Sequence, residues 1–335
     1  MMRENVPLAS LTTFRIGGPA RYVHTGDSIA SVKTAFAHSR ECGLPVYPMG
    51  QGSNILAADH SIAAVVLKME NDSISFTETT SGVEVCAEAG TSWDTLVRAC
   101  AAEGLWGIEN LAGIPGTVGA APVQNIGAYG TELADTFSWL ECYDPETDSV
   151  LRLTKDGCMF GYRDSVFKQK PGPVIMRVAL LLQREGTANT NYTDLSRLIE
   201  AGEALSTPHT IGEAVRRVRS VKFPDLAKYG TAGSFFKNPT ISSDAYTALK
   251  LQYSELPGFV VEEGIKIPLA WILDHVLDLR GFRMGRVHLF ENQPLVLVAD
   301  ADATADEVNA LATAVAEKVC AATGIRIERE VRSFS

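Results

Sequence analysis

The amino-acid sequence predicts an α+β protein built in several compact parts, and three observations lead there. The first is length: 335 residues exceed what one hydrophobic core comfortably fills, so two or three units sharing a cleft is the natural arrangement. The second is patterning, in which short strand-like runs alternate with capped, amphipathic helices. The third is a pair of glycine-rich segments, each placed among apolar runs.

The elements follow in order. The first ~65 residues read as strand, helix, strand: Arg21-Tyr22-Val23, then Ile29, Val32 and Phe36 at helical spacing, then Val46-Tyr47. Gly43 closes the helix, as a residue free to turn left-handed does. The turn from Met49 to Asn54 precedes the apolar run Ile62 to Leu67. From Ile74 to about Leu182 short strands surround one clear helix, opened by Ser92, stopped at Gly104 and carrying Leu96, Val97 and Cys100 on its apolar face. Beyond it, residues 111–130 contain Gly113, Gly116, Gly119, Gly127 and Gly130, with the pair Gln124-Asn125 in their midst. Glycine at this density makes the main chain itself a binding surface. The polar run Gly186 to Asn191 reads as a loop opening a third region of alternating helices and strands. In that region Thr304 and Glu307 spell a capping box; Val308, Leu311, Val315 and Val319 form a buried stripe, and Gly324 is the stop. The last stretch, Ile325 to Ser335, is strand-like and unusually charged.

Composition removes several function classes. Hydrophobic residues make up 46% and charged residues 21%, an ordinary globular balance, and no apolar run is long enough to cross a bilayer. The opening Met1 to Pro7 lacks the apolar core of a secretion signal, so the expectation is a cytoplasmic protein without membrane attachment. A formal charge of −10 disfavours nucleic acid as a partner and requires local positive groups around any phosphate ligand. The six cysteines show no close pair and read mostly as core filler in a reducing compartment. The six histidines lack ligand spacing, so no metal is expected.

Familiar nucleotide signatures are absent. Gly50-x-Gly52 has Ile55 where a dinucleotide fingerprint needs its third glycine, and no Gly-Lys-Ser/Thr exists. Two glycine loops can still wrap one long anionic cofactor through backbone N–H groups, although each taken alone is better read as a plain turn. Ser234, in Gly233-Ser234-Phe235-Phe236-Lys237-Asn238-Pro239, lacks the spacing of a hydrolase nucleophile and taken alone reads as a cap or turn residue. Arg163, in Gly161-Tyr162-Arg163-Asp164-Ser165, reads in isolation as half of a surface Arg–Asp pair. Arg216, Arg217, Arg219 and Lys222 read as a solvated helix face or a small phosphate site.

Together the segments Tyr47–Leu56, Ala112–Gly130, Gly161–Ser165, Gly233–Pro239 and Glu328–Arg332 resemble, in order and over nearly the whole chain, the UDP-N-acetylenolpyruvoylglucosamine reductases. The resemblance implies the flavin fold of the vanillyl-alcohol-oxidase type. FAD-binding subdomains would span residues 1–68 and 69–185 and a substrate-binding domain residues 186–325, with residues 326–335 returning to the active site as a strand. It implies non-covalent FAD, held by Gly50, Gln51, Gly52, Ser53, Asn54 and Ile55 from the first loop. The second loop would add Gly113, Ile114, Pro115, Gly116, Thr117, Gly119, Ala120, Ala121, Gln124, Asn125, Ile126 and Gly127, with Arg219 and Arg332 from elsewhere. Asn191 to Leu195 resembles the tyrosine-bearing loop of one branch of the family, which places Tyr192 over the substrate beside Lys222, Asn238 and Gln293.

The implied chemistry is reduction of UDP-N-acetylglucosamine enolpyruvate by NADPH through FAD, in a monomer, for cell-wall precursor synthesis. Hydride at the β-carbon leaves negative charge on the α-carbon and carboxylate. Arg163 and a protonated Glu330 correspond to the groups that stabilise that charge, and Ser234 to the proton donor. This requires the hydroxyl, the guanidinium and the carboxyl to meet over the flavin. Two other readings stand beside it: a flavin oxidase of a small alcohol or hydroxy acid on the same fold, and a catalytically inert nucleotide-binding regulator.

Overall fold

The computed structural model describes residues 2–170 and 172–335, and the chain divides into two compact units. One comprises the residues up to Val6, Ala20–Gln51 and Ala63–Arg219; the other comprises Pro7–Pro19, Gly52–Ile62 and Ser220–Ser335. One of the points where the chain passes from one unit to the other lies inside the first glycine turn, between Gln51 and Gly52.

Two larger sheets make up most of the first unit. Strands β1 (Met2–Pro7), β2 (Pro19–Gly26), β3 (Val46–Met49) and β5 (Ile62–Met69) form a four-stranded sheet in the order β1-β2-β5-β3, with β4 (Ile55–Ala57) belonging to the other unit. Helix α1 (Ile29–Cys42) buries Val32 and Ala35 in the cluster that also holds Val65 and Leu67, and Ser39 is buried as well. The Ser28 side chain accepts from Ser31 N–H at its start, and Gly43 in the left-handed conformation ends it.

The second sheet of this unit is antiparallel. Strands β6 (Ile74–Thr79), β7 (Gly82–Glu88), β10 (Phe137–Asp144), β11 (Ser149–Thr154) and β12 (Val174–Leu182) run in the order β11-β10-β12-β7-β6. In β7 the buried residues Val83, Val85 and Ala87 alternate with Glu84, Cys86 and Glu88, the period-two pattern of a sheet with one buried face. Helix α2 (Trp93–Ala102) covers that face with Trp93, Leu96, Val97 and Cys100. Between α2 and β10 lies the glycine-rich loop with a two-residue hairpin, β8 (Gly127–Ala128) and β9 (Thr131–Glu132). Short helices α3 (Leu133–Thr136), α4 (Lys155–Cys158) and α5 (Val166–Gln169) punctuate the sheet. Helices α6 (Thr193–Glu200) and α7 (Pro208–Lys222) follow the polar segment 186–192, which carries no helix or strand.

The second unit surrounds one long helix. The small sheets β13 (Thr240–Ile241), β15 (Gly264–Lys266) and β14 (Phe259–Val261), and β16 (Arg283–Met284), β17 (Val287–Phe290) and β18 (Gln293–Ala299), pack with helices α8 (Ser243–Gln252), α9 (Leu269–Trp271) and α10 (Ala305–Thr323). The capping box at Thr304 and Glu307 is formed, Val308, Leu311, Val315 and Val319 are fully buried, and Gly324 is the left-handed stop. Strand β19 (Arg332–Phe334) pairs in parallel with β4, with Arg332 against Ile55 and Phe334 against Ala57. The chain's last strand is therefore hydrogen-bonded to the one that follows the first glycine turn.

All six cysteines are free thiols. Cys100, Cys142 and Cys158 are buried, and burial pushes them up to about 12, 11 and 12 respectively. Cys42 and Cys320 lie on exposed helix surfaces, so the core-filler reading holds for three of the six and fails for these two. Among the described residues no helix is long and apolar enough to cross a membrane.

Candidate active site

In the first unit the two glycine loops touch. A Cβ built on Gly50 would lie 2.2 Å from Thr117 Oγ1, so only glycine lets the first turn approach the second loop this closely. Gln51 reinforces the contact, its Oε1 accepting from Gly116 N–H at 3.1 Å. The second loop is tied down along its length: Gly116 O accepts from Trp93 N–H, Val118 N–H donates to Thr91 O, and Gly119 N–H donates to Ala89 O.

Gly113 is held from both sides. Its N–H donates to Asp94 Oδ1 at 2.7 Å, and its carbonyl accepts from Arg219 Nε at 3.0 Å. Asp94 also takes the Arg216 guanidinium, at 2.8 Å through Nε. Burial pushes the Asp94 carboxyl up, but Arg216, the Gly113 N–H and Arg98 outweigh that and hold it below the usual carboxylate range. Arg216 is thus a partly buried ion-pair partner that shapes the loop, which corrects its reading as part of a solvated face. Arg217 is exposed and pairs with Glu203. Arg219 lies deep in the unit near Tyr129, Asp94 and Arg163, and desolvation lowers its pKa. The like charge of Arg163 contributes a smaller lowering.

Arg163 sits at the tip of a tight turn in which Gly161 and Asp164 exchange backbone hydrogen bonds at 3.0 and 3.2 Å. Its backbone is left-handed, with φ of 55°, an unusual state for arginine that persists only where the surroundings enforce it. Those surroundings are the glycine loop itself. Asn125 Nδ2 donates to Gly161 O, Ser165 Oγ donates to Val123 O, and Arg163 Nη2 donates to Gly127 O at 2.6 Å. Asp164 accepts from Ser165 N–H and from Gln169 Nε2, so the turn is more than the surface ion pair of the plain reading. Asn125 is buried and left-handed, and its side chain also bonds Glu132 and Ala134, which makes it a brace between loop and turn.

The second unit carries Ser234 and Glu330 on neighbouring backbone segments. Gly233, with φ of 77°, turns the chain immediately before Ser234. From there Ser234 bridges Val296 on β18, while Phe235 N–H donates to Leu295 O at 2.8 Å. The adjacent Phe235 and Phe236 rings are buried and edge-on at 5.2 Å, which anchors the segment in the core. On the other side Phe236 bridges Arg329, and Phe235 O accepts from both Glu330 and Val331, at 2.8 and 3.5 Å. Two donors against one acceptor is the pattern of a β-bulge, a device that re-aims a side chain and recurs beside active sites. Asn54 fastens the same place, its Nδ2 donating to Glu330 O at 3.2 Å and its carbonyl accepting from Arg332 N–H.

The remaining expected residues are distributed as follows. Gly52 to Ile55 lead into β4, and Arg332 is exposed on β19 beside them. Lys222 ends α7, and Gln293 begins β18. Asn238 Oδ1 accepts from Leu269 N–H, which caps α9. Tyr192 begins α6, 47% exposed, with its ring edge-on to Tyr129 at 5.0 Å. Sequence reasoning missed Asp94 and Asn110. Nothing in local sequence marks either, because each works through hydrogen bonds to distant backbone.

Loops in close contact, braced by arginine and free of any Rossmann fingerprint, fit an extended dinucleotide, and the fold that presents them is that of an FAD-dependent oxidoreductase. Residues 20–154 match the family described as FAD binding domain, and residues 225–334 that described as UDP-N-acetylenolpyruvoylglucosamine reductase, C-terminal domain. The chain is 38% identical over 333 residues to the UDP-N-acetylenolpyruvoylglucosamine reductase of Pseudomonas aeruginosa, covering 98% of each. It is 37% identical over 334 residues to that of Vibrio parahaemolyticus, covering 99% of this chain and 94% of the relative. The crystal structure of UDP-N-acetylenolpyruvylglucosamine reductase from Thermus caldophilus superposes with a TM-score of 0.70 at 24% identity, with all of both chains covered. The chain belongs to the UDP-N-acetylenolpyruvoylglucosamine reductase family.

Proposed function

We propose that this protein reduces the enolpyruvyl group of UDP-N-acetylglucosamine enolpyruvate to the lactyl ether of UDP-N-acetylmuramate, with NADPH as the reductant, in the cytoplasm and as a monomer. The observation that carries the reading is the end-to-end likeness to reductases of that name, 38% identity with 98% of both chains aligned. On this reading residues 1–68 and 69–185 hold FAD, while residues 186–325 with the returning segment 326–335 take the substrate.

FAD, when bound, supplies the hydride that reaches the substrate β-carbon. The chain's own residues then have two tasks. Negative charge develops on the α-carbon and its carboxylate, and Arg163, held rigid by its turn, is the group suited to stabilise it. Glu330, acting protonated, adds a hydrogen-bond donor to the same charge. Ser234 gives its hydroxyl proton to the α-carbon; a hydroxyl is a weak acid, but the carbanion-like centre is a strong base, so placement decides the step. The fixed backbone around Ser234 and the bulge at Glu330 support both roles. Tyr192, Lys222, Asn238 and Gln293 bind the sugar nucleotide or the nicotinamide phosphates, and the segment bearing Tyr192 assigns the chain to the loop-bearing branch.

The test is to purify the protein, look for bound flavin by its absorbance, and follow NADPH oxidation with and without the enolpyruvyl sugar nucleotide. Oxidation that depends on the sugar nucleotide is expected. Bound flavin with no response to the sugar nucleotide would instead favour the oxidase of a small alcohol or hydroxy acid.

A further inference from the structure

Asn110 lies at the start of the glycine-rich stretch, 1% exposed, in a short turn of helix between α2 and the loop. Its amide group holds two separate pieces of backbone in the first unit. One hydrogen goes to Tyr129 O at 2.9 Å, at the far end of the glycine loop, and the other to Asn189 O at 2.8 Å, in the segment that carries Tyr192. Asn189 answers from its own side, its Nδ2 donating to Gly130 O at 3.1 Å. Beside these three bonds the Tyr129 and Tyr192 rings meet edge to face.

We propose that Asn110 is a positioning residue that fastens the Tyr192 segment to the end of the cofactor loop, so that the order of one depends on the order of the other. The chemistry of the side chain is specific. Two diverging carbonyls need two hydrogens from one small neutral group, which asparagine has. Aspartate of the same shape would present oxygens to oxygens, and leucine would leave both carbonyls unpaired in a buried place. The Oδ1 atom is buried without a hydrogen-bond partner, so the amide cannot rotate end for end without losing both bonds. Segment 186–192 contains no helix or strand, and these bonds take the place of a ladder in locating it.

The inference rests on the reading that Tyr192 covers the substrate, and the test separates the two. In the flavin-loaded protein, hydrogen–deuterium exchange over residues 186–200 is compared between wild type and Asn110→Leu, with α1 as the internal reference. Exchange faster by about tenfold or more over 186–200, with α1 unchanged, is expected from the loss of two buried bonds. Unchanged exchange there overturns the fastening. In steady state the KM for the enolpyruvyl sugar nucleotide should rise about tenfold while flavin reduction by NADPH stays within about twofold. A KM that does not move while exchange accelerates overturns the link from the fastening to substrate. If wild type does not turn over the sugar nucleotide, the functional reading fails while the exchange comparison still decides the fastening. Should Asn110→Leu not fold, Asn189→Ala removes the second strut from a less buried position. It is expected to accelerate exchange by about threefold, and no acceleration would overturn the proposal.

Discussion

On the proposed reading Ser234 protonates carbon by virtue of where it stands, on backbone locked between β18 and the Glu328–Val331 segment. Ser234→Ala is expected to leave reduction of the flavin by NADPH within about twofold and to lower turnover of the sugar nucleotide by about 10²-fold or more. Stopped-flow measurement of the two half-reactions checks it; equal loss in both would contradict the role. Asp94 gives a pH prediction. Its folded-state pKa lies below the unfolded value of about 3.9, so its contribution is complete above that pH and disappears as pH falls through the lowered folded value. Flavin retention should weaken below about pH 4 in wild type, and Asp94→Asn should release flavin more readily at pH 7 with that acid dependence flattened. Fluorescence of released flavin across a pH series reports both. Of these residues, Ser234, Arg163 and Glu330 could be proposed from the sequence only because their neighbours spell recognisable motifs. Asp94 reads as an ordinary acid in a helix's first turn, and its grip on Gly113 arises across 19 positions that no local pattern connects.

Among the elements, helices were the most legible, because caps and stops are written in adjacent residues. Gly43, Thr304, Glu307 and Gly324 all mark helix ends in the structure. Thr304→Ala is expected to cost about 1 kcal/mol, seen as a fall of about 2–4 °C in the melting temperature by calorimetry. The glycine loops could be proposed from the sequence as binding surfaces, but the contact between them could not, since no sequence rule says that Gly50 faces Thr117. Gly50→Ala should push the loops apart and lower flavin affinity by about tenfold or more, judged from the size of the overlap. Thr117→Ala in the same chain removes the clashing Oγ1 and should restore part of the loss, measured by flavin titration of the apoprotein. The bulge at Glu330 was also hidden. A charged strand with apolar neighbours shows where a segment is odd, while the register that makes it a bulge depends on Phe235, almost a hundred residues earlier.

At the scale of the whole molecule, the sequence suggested successive regions along the chain, whereas the two compact units interleave. Residues 7–19 and 52–62 join the carboxyl-terminal unit although they precede most of the other one. Hydropathy and turn signals are local quantities, and the parallel pairing of β4 with β19 leaves no trace in either. Deleting residues 332–335 should therefore disturb the turn before β4 as well as the chain end. The expected result is a soluble protein with reduced flavin content, read from the ratio of flavin to protein absorbance; full flavin content would show that the turn holds its shape alone.

That pairing also orders events during synthesis. On the ribosome, Ile55, Leu56 and Ala57 emerge early and wait through some two hundred and seventy residues of translation before Arg332 to Phe334 appear. The amino-terminal unit can collapse while the nascent chain is still growing, but its sibling cannot close until Arg332 to Phe334 have left the ribosome. A stalled or prematurely stopped message thus yields a chain whose carboxyl-terminal unit is open, with apolar edge exposed, which quality-control proteases and chaperones are equipped to detect.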